Sequence, residues 1–343
     1  MAVAGRQALL RSRRWRRVLP AMLAVGCRLA ASGGGGTALE AARALQPPIP
    51  VLSEGGELEG HEFWDEHDDL LRLAWQQHGP RMPDLYAFGD GFERRYLRQD
   101  FRQAVEAARG GRGEDKARRL FDEVLPGVFA SGRLFTEAFQ EDLLLELEHI
   151  EASGIPQRRP NGMNRYGVIL DQVGLETALE GFAAAYLRPL AGMLFPELVG
   201  AEDAVEHYAF TVRYEPSGDV ELAKHGDASV VTLNLCLGGA AWSGGALRFF
   251  SSGGEGLYPL PESAAGAGDL EFKPGMAIIH RGQHKHQALP LISGERTNLV
   301  IWLMGRYGVV RVAPYKPPDQ LTPSQRWAPA PPLEERWASP REL

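Results

Sequence analysis

Cysteine is almost missing from these 343 residues: there are two, Cys27 and Cys236. Cys27 lies in a segment of targeting character and Cys236 in an expected core strand. A mature chain without that segment keeps one thiol, so no internal disulfide can brace it, and cysteine usage favours no compartment. Long apolar runs are missing too. The stretch Val18–Cys27 is too short to span a bilayer, and Arg28 ends it. The folded region has no basic stripe, and the net charge is −7, which together argue against nucleic acid as a direct ligand. Acidic residues are absent from the first 39 positions, which carry seven arginines. A basic flank, a short apolar core and the small residues Ala30 to Gly33 describe a signal peptide. Arginine enrichment and acid depletion describe an organelle transit peptide equally well, and a disordered basic tail is the third reading for residues 1–45.

With 44% hydrophobic residues, the chain can bury one substantial core plus a helical layer or a small second domain. Residues 46–124 read as a helical N-terminal region. Helices are expected near 62–78, 93–108 and 114–123, separated by Pro80, Pro83 and Gly110-Gly111. Thr136 is placed to cap a helix whose Phe139, Leu143, Leu147 and Ile150 form one apolar stripe, stopped by Gly154 and Pro156. That stripe is expected to pack on the exterior of a barrel built from the later strands. Four short strands are expected: Val230–Leu237, Ser243–Phe250, Lys273–His280 and Leu299–Leu303. Glycine and proline punctuate them and no helical period intervenes, so the expected fold class is mostly β with flanking helices, a jelly roll or sandwich. Residues 313–343 are rich in proline and read as an extended tail, a spacer or a ligand for a proline-binding partner.

The chemistry gathers on the strands. His225 and Asp227 are two apart, so on a strand they present an imidazole and a carboxylate to one point. A histidine from a distant strand would complete a two-histidine, one-carboxylate facial triad, which leaves three positions of an octahedral iron(II) open. His280, His284 and His286 are the candidates. His280 ends an apolar strand, where a histidine bonded to backbone or water is the plain reading, and His284 beside Lys285 reads as a solvated turn residue. By parity Arg296, Asn298, Val300 and Trp302 share a face, as do Thr232, Asn234 and Cys236. An inward Arg296 brings Trp302 into the barrel, and its planar guanidinium suits a bidentate pair with a carboxylate.

The run His225-Gly-Asp-Ala-Ser-Val-Val-Thr-Leu-Asn-Leu-Cys-Leu237, followed by Gly244 to Phe249, His286, and Gly294 to Trp302, resembles the catalytic domain of the prolyl and lysyl hydroxylase class of iron(II) and 2-oxoglutarate dioxygenases. Its first part is most similar to procollagen-lysine hydroxylases. Upstream, Arg159 to Leu170 and Leu143 to His149 resemble the "2-oxoglutarate and iron-dependent oxygenase domain-containing" proteins. The likeness covers roughly residues 125–312 and not the N-terminal third. It implies a double-stranded β-helix with iron held by His225, Asp227 and His286, the last lying ten positions before Arg296, which would anchor 2-oxoglutarate. It also places Thr232, Asn234, Tyr214 and Trp302 in the cosubstrate pocket, with Cys236 where oxygen-sensing prolyl hydroxylases have a tyrosine. The implied reaction hydroxylates a C–H bond, on a prolyl or lysyl side chain of a peptide or protein or else on a small molecule, and releases succinate and CO2. Ascorbate is the implied reductant. The competing readings are a cupin-like metal enzyme that does not use 2-oxoglutarate, a zinc hydrolase, and a catalytically silent binding module on the same fold.

Overall fold

The computed structural model describes residues 37–47, 61–109, 114–196, 198–199, 207–253 and 266–303. Most of the expected targeting segment and the whole proline-rich tail lie outside the described residues. The last part of the 1–45 segment belongs to the fold. Helix α1 (Ala38–Arg43) starts in a capping box between Thr37 and Glu40, buries Ala38 and Ala42, and is tied down by Arg43 Nε donating to Ser153 O at 2.7 Å. The boundary expected at 45 therefore moves ahead of Thr37.

The N-terminal helices agree with the sequence apart from two corrections. Helix α2 (His61–His78) falls where expected, but one expected helix is split into α3 (Asp90–Tyr96) and α4 (Gln99–Arg109). Leu97 leaves helical geometry to form an isolated bridge with Phe135, and Arg98 N donates to Leu134 O. The helix expected over 114–123 is only α5 (Glu114–Arg118), because β1 (Asp122–Leu125) has to pair with β2 (Val128–Ser131). Here strand pairing overrides local propensity.

Helix α6 (Glu137–Ala152) carries the apolar stripe. Thr136 stands at its N-cap without capping it, since its hydroxyl donates to Arg95 O at 2.7 Å. Helices α7 (Glu176–Phe182) and α8 (Arg188–Leu194) are joined by a π turn, Ala183–Leu187.

The remaining strands are β3 (His207–Tyr214), β4 (Leu222–His225), β5 (Val231–Gly238), β6 (Ser243–Gly244), β7 (Leu247–Gly253), β8 (Gly268–Leu270), β9 (Ala277–Arg281), β10 (His284–Ala288), β11 (Leu291–Ser293) and β12 (Arg296–Leu303). They form a six-stranded sheet in the order β1-β2-β9-β5-β12-β3 and a four-stranded sheet in the order β4-β10-β7-β8. Strands β6 and β11 make a separate pair. The chain passes back and forth between the two antiparallel sheets, which is the topology of a jelly roll, the double-stranded β-helix.

Parity divides the larger sheet into two environments. Its outer side chains (Val231, Leu233, Leu235, Ile279, Leu299 and Ile301) pack with Phe139, Leu143, Ile150 and Phe182 of the helices in one core cluster. Each such side chain, fully buried, contributes about 1.5–3 kcal/mol. This explains why β5 and β12 read as nearly continuous apolar runs. The inner face carries Thr232, Asn234, His280, Arg296, Asn298 and Trp302, all but Asn234 buried. Buried polar side chains break the rule that cores are apolar, and such breaks mark function.

Candidate metal centre

Register brings the motif together. His225 at the end of β4 pairs directly with His286 on the neighbouring β10. Asp227 comes next in a tight link in which its N–H donates to Gly282 O at 2.7 Å and its carbonyl accepts from Gln283 Nε2 at 2.9 Å. Among the described residues, His225, Asp227 and His286 are the group able to hold a metal ion, with ligand atoms all within 4.8 Å of one another.

Hydrogen bonds assign the tautomers. His225 Nδ1 lies 2.7 Å from Ala223 O, and His286 Nδ1 lies 2.9 Å from His284 O. A carbonyl accepts only, so each Nδ1 carries a proton, and Nε2 is the atom each imidazole can offer a metal. Those Nε2 atoms lie 3.5 and 3.6 Å from the same oxygen, Asp227 Oδ1. The other oxygen, Oδ2, accepts from Thr232 Oγ1 at 2.6 Å, and Ser229 Oγ in turn donates to Thr232 Oγ1 at 2.7 Å. Thr232 is therefore committed to the carboxylate. Its single hydroxyl proton is not free for a second acceptor.

Burial drives His286 down to about 3, outweighing the opposing pull of Asp227. Burial also works against ionisation of Asp227, but the imidazoles of His286 and His225 outweigh it and hold the carboxyl well below its usual range. Two neutral imidazoles and a carboxylate are the protonation states that a divalent metal requires.

Of the other two histidines, His280 is bonded to backbone at the end of its strand as expected, whereas His284 is not where the sequence put it. His284 is fully buried on β10, with Nε2 2.9 Å from Gly266 O and 3.2 Å from Phe250 O. It is a bracing core residue and not a solvated turn residue, because strand parity turns it inward with His286. His280 also lies inside, with Nδ1 2.8 Å from Arg281 O and Nε2 3.9 Å from Asp227 Oδ2.

Arg296 is 1% exposed. Its guanidinium carbon lies 5.1 Å from the Tyr214 ring centroid and 4.7 Å from that of Phe272, and Nη1 donates to Gly245 O. Gly245 has φ +73°, and a Cβ there would stand 2.9 Å from Nη1, so glycine is needed on both counts. No carboxylate forms an ion pair with Arg296 among the described residues, Nε lacks a partner, and burial disfavours its charge. Tyr214 is buried beneath it with its hydroxyl 3.5 Å from Asn164 Nδ2. Asn234 Oδ1 accepts from Asn298 Nδ2 at 2.7 Å, and Asn298 Oδ1 is left unpartnered. Trp302 is inside, packed on Phe210 and Tyr208, with Nε1 unpartnered. Cys236 is a neutral thiol pushed up by burial to about 11.

Sequence reasoning missed Asn298 and His280 as inner-wall groups. Parity already put Asn298 on the face of Arg296. His280 pairs with Thr232 in register, a fact available only from the sheet.

The chain is similar to known oxygenase-domain proteins. Residues 75–200 match the model of the OGFOD2-like domain, so the likeness extends into the N-terminal helical region, which the motif resemblance does not reach. The human 2-oxoglutarate and iron-dependent oxygenase domain-containing protein 2 is 42% identical over 171 residues, covering 50% of this chain and 47% of that protein. The Arabidopsis thaliana 2-oxoglutarate and iron-dependent oxygenase domain-containing protein ICU11 is 36% identical over 195 residues, covering 56% and 48%. Human procollagen-lysine,2-oxoglutarate 5-dioxygenase 1 is 24% identical over 224 residues, covering 62% and 27%. The chain thus spans about half the length of the oxygenase-domain relatives it matches.

Proposed function

We propose that this protein is an iron(II)- and 2-oxoglutarate-dependent dioxygenase that hydroxylates a C–H bond, on a prolyl or lysyl side chain of a peptide or protein substrate. The observation that carries the reading is the buried Arg296, which has no ion-pair partner among the described residues and sits on the same inner wall as the His225, Asp227 and His286 cluster. An unpaired buried charge is expensive to keep. A dicarboxylate held at its far end by Arg296 would supply the missing anion, and its 2-oxo acid end would bind the metal that His225, Asp227 and His286 would hold. A cupin-like enzyme without that cosubstrate has no use for the guanidinium.

In this reading iron, 2-oxoglutarate and dioxygen supply the oxidising power, with succinate and CO2 released, and ascorbate keeps the iron reduced. The chain supplies geometry. His225 and His286 offer Nε2, fixed by the carbonyls that hold Nδ1. Asp227 offers Oδ1, because Thr232 occupies Oδ2. Arg296, Tyr214 and the Asn234–Asn298 pair orient the cosubstrate, and the apolar ring of Trp302 helps keep bulk water out. The test is to incubate the full chain with iron(II), 2-oxoglutarate, ascorbate and proline- or lysine-bearing peptides. Succinate release and a one-oxygen mass gain on the peptide are expected. Absence of 2-oxoglutarate binding to metal-loaded, folded protein would refute the proposal.

A further inference from the structure

Helices α1 and α2 sit on the body of the protein as a separate unit. Helix α2 packs chiefly on α1. Ala42, Leu71, Ala74 and Ile155 form a small core of their own, apart from the cluster that joins α6 to the large sheet, with Trp75 touching both. Polar contacts complete the seam. Arg43 Nε donates to Ser153 O at the end of α6, and His149 Nε2 lies 3.1 Å from Gly79 O just past α2. Beside that bond the rings of His78, the last residue of α2, and His149, on α6, are stacked, with centroids 4.3 Å apart and planes 22° from parallel.

An added proton is disfavoured at this stack. Nε2 of His78 is buried and has no partner among the described residues, so a second N–H on that ring finds no acceptor. The two rings repel once both are cations. Burial, then the His149 ring and Arg43 of α1, hold His78 below its ordinary 6.5 against the opposing pull of the His149 backbone and of Glu146 on α6. Arg81, in the loop after α2, is exposed, and its N–H donates to Glu146. A detached α2 leaves His78 at its ordinary value. The detached form therefore takes up more protons as pH falls through 6.5, and docking weakens.

A hinge lies beside the seam. Glu146, 1% exposed, accepts from Arg81 N at 3.3 Å, Met82 N at 2.6 Å and Tyr86 Oη at 2.8 Å, which pins the loop after α2 to α6. Movement falls just before that loop, at Gly79, where φ is +75° and a Cβ would meet nothing within 4 Å. On the body side, Ile155 leads into a strap in which Pro160 O accepts from Tyr208 Oη at 2.7 Å and Asn164 Nδ2 donates to Tyr214 Oη at 3.5 Å. Both tyrosines belong to the inner face of β3, so uncovering Ile155 loosens a strap anchored on the inner wall.

We propose that the stacked His78–His149 pair is an acid-sensitive latch, which holds α1 and α2 on α6 at neutral pH and on acidification lets them swing away about Gly79, slackening the strap from Ile155 to Asn164. Protonation of paired histidines is a known way to bias an interface between two states. None of the latch groups belongs to the proposed iron and 2-oxoglutarate site, so failure of that reading leaves the latch standing.

Hydrogen exchange of the full chain, read by mass spectrometry at pH 7.5 and pH 5.5 and corrected for the intrinsic rates, follows local opening element by element. Opening of 61–78 is expected to rise several-fold at pH 5.5, up to about tenfold for one group of ordinary value 6.5, while β5 and β12 keep their protection. His78→Phe keeps a stacked ring that takes no proton, and it is expected to stay closed at both values. Equal opening of wild type at the two values overturns the proposal. The same acid response in His78→Phe also overturns it, by placing the titrating group elsewhere, and opening of β5 and β12 together with α2 does so by making the acid response global. If His78→Phe does not fold, His78→Gln, neutral and polar, decides on the same terms.

Discussion

Replacing Arg296 with methionine should have opposite effects on the empty and the loaded protein. Met is similar in length and apolar, so it fills the slot between Tyr214 and Phe272 without a charge. In the empty protein the change removes one hydrogen bond to Gly245 O and two cation–π contacts. Those are worth about 0.5–1.5 kcal/mol for the bond and about 0.5–2 kcal/mol for each ring. Against them stands relief of a buried charge with no ion-pair partner, an effective penalty of several kcal/mol. The sum is near zero or favourable, so the melting temperature without ligand should stay level or rise. In the loaded protein the change deletes the anchor of a buried carboxylate, about 2–5 kcal/mol by truncation, or roughly 30-fold to several thousand-fold in 2-oxoglutarate affinity. Wild type at a ligand concentration of 100 Kd gains about 2.7 kcal/mol of stability. For a protein of this size that gain corresponds to roughly 4–6 °C. Thermal melts with manganese(II), with and without 2-oxoglutarate, read both effects. A variant that keeps the ligand-induced shift, or whose ligand-free form melts far below wild type, would show that Arg296 is a structural residue and that the argument from its missing partner is wrong.

The remaining expectations concern the metal end. Thr232→Val keeps the shape but frees Asp227 Oδ2, and it should weaken metal binding by about 10- to 100-fold, as loss of an outer hydrogen bond to a ligating carboxylate typically does; unchanged affinity by calorimetric titration would mean that the hydroxyl does not orient the carboxylate. His286→Ala should abolish metal binding and succinate formation, while His284→Ala should leave both intact and lower stability by losing the bonds to Gly266 O and Phe250 O; the reverse pattern would move the ligand to His284. Metal-free protein should lose stability as pH falls from about 6.5 toward 4. The folded values of His284, about 4, and His286, about 3, lie below the unfolded 6.5, so the unfolded chain takes up more protons across that window. Asp227 adds its own loss only below the ordinary carboxylate range. Urea denaturation at pH 7.5 and pH 5 reads this, and equal stability at the two values would contradict the burial of these imidazoles as neutral bases.

The sequence alone specified the chemistry, because strand periodicity is strict. Two-residue spacing puts Arg296, Asn298 and Trp302 on one face, whatever the rest of the chain does, whereas Asp227 lies just past the end of β4 and is set beside His225 with the help of its bonds to Gly282 and Gln283. Glycine and proline between short apolar runs, with no helical period between them, were enough for a jelly roll or sandwich as against a parallel α/β sheet. Periodicity says nothing about which strands become neighbours, and that was left to tertiary structure. The pairing of β10 with β4 brings His286 against His225, and the same alternation carries His284 inside, where its sequence neighbour Lys285 had suggested solvent. The pairing of β5 with β9 sets His280 opposite Thr232 and turns an unremarkable strand-end histidine into a wall of the site. Hydrogen-bond competition is equally invisible along the chain. Thr232 could serve Asp227 or a cosubstrate, and Thr136 could serve its own helix or Arg95. The Thr232 proton went to Asp227, five residues away along the chain, and the Thr136 proton to Arg95 O, brought near by packing.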